Sequence, residues 1–71
     1  MRAEKPDNRL KVEWKKAVTV RHFAHLYSLA CYALEDAGRM WERDNLRRLV
    51  NEVSKSQQES LKYIEQYVRF G

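Results

Sequence analysis

The residues of this chain most able to do chemistry sit close together. His22 and His25 are three apart, so on a helix both imidazoles face one side, with Cys31 two turns further on. A tetrahedral zinc site needs four ligands. No carboxylate lies at i±4 from either histidine to complete this set, and Glu35 and Asp36 fall on later turns. The expectation is two histidines at the edge of a core and no bound metal. A nucleophilic Cys31 would need a base and surroundings that lower its pKa. It lies instead among Ala30, Tyr32 and Ala33, which fits a buried, inert thiol. Glu35 and Asp36 are adjacent, so on a helix their side chains diverge by about 100° and make a poor acid/base pair. No glycine-rich phosphate loop and no Ser-His-Asp set is present. The expectation is a chain that is not an enzyme and takes no cofactor.

A second constellation is charge. The chain carries a formal +4. Residues 1–21 hold seven basic side chains, among them Arg9, Lys11, Lys15, Lys16 and Arg21, against Glu4, Asp7 and Glu13. From residue 22 onward seven basic and seven acidic side chains cancel. A localised basic arm attracts polyanions, although such arms also serve solubility alone. Arg43, Arg47 and Arg48 form a smaller cluster, with Arg43 and Arg47 on one helical face. Glu42, Asp44 and Glu52 are interleaved, which reads as a mixed, salt-bridged surface. Asp44 and Arg48 are spaced to pair, as are Glu65 and Arg69, and Glu35 is within reach of Arg39.

The elements that must position these groups are helical in pattern. Residues 1–8 read as a tail, with Pro6 disfavouring helix at Lys5 and Asp7 or Asn8 able to cap the next element. Residues 9–18 are ambiguous. Leu10, Val12 and Trp14 alternate with Arg9, Lys11, Glu13 and Lys15, the period of a half-buried strand, yet Leu10, Trp14, Ala17 and Val18 share a helical face. A helix is preferred because no second strand is visible as a partner; a strand would need a copy from another subunit. Residues 20–37 give the firmest helix, with Phe23, Leu26, Ala30, Ala33, Leu34 and Ala37 at three-four spacing. Gly38 is its natural stop, and Met40 and Trp41 are then expected to plug the end of the core. Residues 41–70 read as one long helix through Leu46, Leu49, Val50, Val53, Leu61, Ile64 and Val68. The alternative is a break in the wholly polar run 54–60, where Ser56 and Glu59 form a capping box that would start a helix at Gln57.

The fold expected is all-α: a helical hairpin or three-helix bundle in one domain spanning residues 9–71, completed by dimerisation. With 71 residues and one cysteine, the chain has a small core and no disulfide to support it. Tyr27, Leu29 and Tyr32 also widen the apolar surface of the central helix beyond one stripe. Phe23, Leu26, Tyr27, Ala30, Ala33, Leu34, Ala37 and Trp41 are therefore the expected interface. The polar opening residues and the longest apolar stretch, residues 23–34, give neither a secretory leader nor a membrane span, so a cytoplasmic location is expected.

Two functions are compatible with this pattern. One is a non-enzymatic interaction or regulatory module, a homo-oligomer that binds a larger protein, of the kind found among small bacterial and phage proteins. The other is a nucleic-acid-binding dimer. A strand at residues 9–15 followed by helices resembles, in outline, the ribbon-helix-helix repressors. That resemblance covers about residues 9–53 and implies that Arg9, Lys11, Glu13 and Lys15 point outward from a strand paired across two subunits. The longer helix at 20–37 and the missing Ser/Thr cap after Gly38 depart from that pattern.

Overall fold

The computed structural model describes residues 9–71; the expected tail, residues 1–8, lies outside them. Three helices carry the chain: α1 (Phe23–Asp36), α2 (Met40–Arg48) and α3 (Gln57–Tyr67). They are joined by a short sheet of two strands, β1 (Leu10–Val12) and β2 (Val68–Phe70). The all-α expectation is corrected to mostly helical with a two-stranded sheet.

The segment preferred as a helix at residues 9–18 is instead a strand followed by an irregular loop. Its partner is not a second copy. β1 runs parallel to β2, with Leu10 opposite Val68, Lys11 opposite Arg69 and Val12 opposite Phe70. Gly71 extends the ladder, its N–H donating to the Val12 carbonyl at 3.1 Å. Alternation is the correct signal here: Val12 and Val68 are buried, while Lys11 and Arg69 are exposed. β2 is hidden in the sequence because Val68 continues the helical spacing of Leu61 and Ile64 as well as it starts a strand.

After the loop, a single 3₁₀ turn at Val20–His22 leads into α1. α1 ends at Gly38, as expected. The glycine has φ +75°, a left-handed conformation that costs other residues about 1–2 kcal/mol. Gly38 N–H donates to Glu35 O at 3.0 Å and Arg39 N–H to Leu34 O at 2.8 Å. These two hydrogen bonds satisfy carbonyls that a helix end leaves open.

The long helix expected over 41–70 is broken. α2 widens into a π-helical turn at Leu49–Val53, where Ser54 N–H donates to Leu49 O at 2.8 Å. Ser54 then turns extended, and its hydroxyl donates to Val50 O at 3.0 Å. A serine that bonds the preceding turn in this way competes with continued helix. Half of the capping box is realised: Ser56 Oγ accepts from Glu59 N–H at 3.2 Å, while Glu59 Oε1 accepts at 3.1 Å from the N–H of Lys55, one residue before the cap. The buried Ser60 hydroxyl bonds Ser54, tying α3 to the break.

The core consists of Val12, Leu26, Ala30, Leu34, Leu46, Leu61, Ile64 and Val68. Each helix and both strands contribute to it. Leu26, Ala30, Leu34, Leu46, Ile64 and Val68 are fully shielded by the chain itself. The centre of α1 is thus covered without a second copy. Trp14 packs from the loop after β1 and closes one end. Its ring meets His22, His25 and Phe70 edge-on, with centroids at 5.5, 5.1 and 6.4 Å.

Candidate functional site

The side of α1 that faces away from the core opens into a groove against α2. It encloses about 460 Å³ and is lined by Tyr27, Ser28, Cys31, Tyr32 and Glu35 from α1, and by Arg43, Arg47 and Asn51 from α2 and its π-turn. Spacing explains both walls. Residues 28, 31, 32 and 35 share one strip of α1, beside the buried line of 26, 30 and 34. On α2, Arg43 and Arg47 are one turn apart, and the π-turn brings Asn51 onto the same wall. Such widened turns recur at functional sites.

One wall is held by charge. Arg43 Nη1 donates to Glu35 Oε2 at 2.8 Å, linking α2 to α1, and Arg43 Nη2 donates to Asp44 Oδ1 at 2.7 Å. These bonds, to Asp44 and then Glu35, hold the guanidinium more firmly protonated than usual. The pairings differ from those expected. Asp44 turns to its neighbour Arg43 rather than to Arg48, and Glu35 reaches across to Arg43 rather than along its own helix to Arg39. Arg39 lies 3.8 Å from Glu42.

The other wall has more donors than acceptors. Among the described residues Arg47 forms no ion pair. The Tyr27 hydroxyl is shielded from solvent yet has no hydrogen-bond partner. Arg47 and Asn51 approach it and favour its ionised form, but neither lies in the geometry of a completed bond. Burial outweighs them, and with the influence of Cys31 it raises the phenol above its ordinary 10.0. Burial likewise raises the Cys31 thiol above 9.0, outweighing the cations of Arg47 and Arg43. Both groups are therefore neutral at pH 7. A protonated thiol is a weak nucleophile, and Cys31 contributes here as a small lining side chain.

The expected interface residues separate into three groups. Leu26, Ala30 and Leu34 are core and closed to any partner in this fold. Phe23, Tyr27 and Ala33 are half-buried, with Phe23 stacked on Tyr27 at 5.8 Å between ring centroids. Ala37 is exposed in the turn. Trp41 is 84% exposed and does not plug the core. The reason is angular: Leu46 points inward, and five residues at about 100° each place Trp41 about 140° away from it. Tyr32, at 64% exposure, and Met40, at 47%, are the other large apolar side chains at this end of the hairpin.

The basic residues singled out in the N-terminal segment are all at the surface. Lys11 lies on the outer side of β1, Lys15 and Lys16 in the loop, and Arg21 in the 3₁₀ turn. Arg9 donates to the Glu65 carbonyl of α3 at 2.9 Å. His22 and His25 flank Trp14 instead of converging on one point. Among the described residues no three potential metal ligands come together, and no helix is long and apolar enough to cross a membrane. A second hollow, between the 3₁₀ turn and α3, mixes Glu59, Lys62 and Glu65. No shielded, unbonded polar atom faces it among the described residues.

The sequence reading takes Tyr27 as an interface residue and Arg43, Arg47 and Arg48 as a mixed, salt-bridged surface; it does not single out Asn51, and nothing in the stretch Leu49–Val53 announces a π-turn. Compared with known protein families, curated proteins and solved structures, the chain matches none.

Proposed function

We propose that this chain is a non-enzymatic interaction module that binds a carboxylate-bearing segment of a larger protein in the groove between α1 and α2. The observation that carries the reading is the shielded Tyr27 hydroxyl without an acceptor, beside Arg47, which forms no ion pair among the described residues. A buried polar group left unbonded costs about 1–3 kcal/mol. An Asp or Glu side chain supplies acceptor sites for both an O–H and a guanidinium at once. Glu35 does not fill this role: its carboxylate pairs with Arg43 and makes no bond to the Tyr27 hydroxyl. An exposed ion pair alone is worth about 0–1 kcal/mol, so the partner also covers Tyr32, whose ring stands at the mouth of the groove. Aromatic side chains of this kind anchor many interfaces.

The test is a selection of random peptides displayed on phage. Wild-type protein enriches peptides with an Asp or Glu beside an apolar residue. Arg47→Glu abolishes that enrichment while keeping the circular dichroism spectrum, since Arg47 is exposed and forms no ion pair among the described residues. Tyr27→Phe weakens binding of the selected peptides several-fold. Selected peptides with no acidic preference, or affinities indifferent to Arg47→Glu, would overturn the assignment.

A further inference from the structure

We infer that the outer face of the β1–β2 sheet binds the phosphate backbone of nucleic acid, without regard to base sequence. This site is separate from the groove and stands on a different observation, the register of the two strands.

Lys11 and Arg69 are direct neighbours across the parallel pair. Strands in a sheet lie about 4.8 Å apart, so one phosphate group is within reach of both cations. Both side chains are exposed on the same side, because their neighbours Leu10, Val12, Val68 and Phe70 turn towards the core.

The surroundings add charge of the same sign. The loop that continues from β1 presents Lys15 and Lys16, with Glu13 the single acidic residue between Arg9 and Arg21. The loop is anchored, since Trp14 sits among the rings of His22, His25 and Phe70, and its indole Nε1 donates to Ala17 O at 3.4 Å. Cations on a pinned backbone lose less freedom on binding than cations on a loose tail.

Charge pattern and surface texture select the occupant. The exposed residues 9, 11, 13, 15 and 69 are all charged, and none of them offers an apolar side chain to enter a bilayer or hold a peptide's side chains. Exposed cations on and beside one short sheet suit a repeating phosphodiester read through charge alone.

The test is fluorescence anisotropy with a labelled duplex of about 20 base pairs and arbitrary sequence, titrated between about 50 and 200 mM KCl. Contacts to about three phosphates give a log–log salt slope of about −2.7, a loss of roughly 40-fold over that range. Lys11→Gln combined with Arg69→Gln is expected to weaken binding at least tenfold and to cut the slope by about 1.8. Glu13→Gln should tighten binding. Tyr27→Phe, which alters the groove without changing charge, should leave DNA affinity as it was, so this result and the peptide result fail independently. Absence of binding at the lowest salt would overturn the inference. So would affinity indifferent to the Lys11/Arg69 pair, or tighter binding to phosphatidylserine vesicles or polyglutamate than to the duplex.

Discussion

The two sides of α1 both carry apolar side chains and have opposite fates. Along one side, Leu26, Ala30 and Leu34 are closed off completely by α2, α3 and the sheet. Around the other, Tyr27, Cys31 and Tyr32 border an open groove, with arginines and a glutamate facing them. The difference lies in side-chain chemistry as much as in position. Leucine and alanine side chains have no polar atoms and can be enclosed without penalty. Tyrosine needs an acceptor wherever its hydroxyl ends. A helix apolar on more than one side therefore does not always demand a second copy of itself; one side can close a core while the other waits for something polar.

The sharpest way to break this comparison is a pair of charge insertions. Ala30→Glu places a carboxylate where the fold has no exposure and no partner, a cost of several kcal/mol against a total stability of roughly 4–10 kcal/mol for a chain of this size. Loss of the helical circular dichroism signal at room temperature is expected. Ser28→Glu, at an exposed position that lines the groove, should remain folded. Equal behaviour of the two variants would erase the distinction between the sides. A gentler version compares truncations in urea. Leu34→Ala should cost about 2–5 kcal/mol through lost burial and a residual cavity, whereas Tyr32→Ala should stay within about 0.5 kcal/mol because its ring is already in water.

The smallest effect is a pH dependence on the groove side. Burial raises the Cys31 thiol above its ordinary 9.0. The unfolded chain then releases the thiol proton first, so above that pH it binds fewer protons than the folded chain, and stability falls as pH climbs. The decline starts near the ordinary thiol value of 9.0 and levels off once the folded thiol has ionised. Thermal melts of Cys31→Ser should show a shallower loss over the same range, with no change at neutral pH.

What could be read from the sequence divides along physical lines. The three-four spacing of Leu26, Ala30 and Leu34 locates the buried side of α1 because periodicity reports burial directly. Gly38 is legible because the left-handed turn favours that residue. Ser56 and Glu59 state where α3 begins, yet continuity of helix is the simpler reading, since neither glycine nor proline marks the break. β1 is visible as alternation but lacks an evident partner, because that partner lies at the far end of the chain. The groove is legible only as ingredients. Tyr27, Arg43 and Arg47 stand out individually, but their meeting depends on the angle set by the Gly38 turn and on the π-turn that carries Asn51. Both are tertiary outcomes with no local signature.

The strand pairing also sets a timetable. Leu10 finds its neighbour only after Val68 has been made, 58 positions later in the chain, and elongation runs at about 5–20 residues per second. α1 and α2 can dock early, while Val12 and Trp14 wait several seconds for the strand that completes their enclosure. During that interval the newborn chain displays its most cationic stretch beside an uncovered tryptophan, an opening for chaperones that the finished molecule no longer offers.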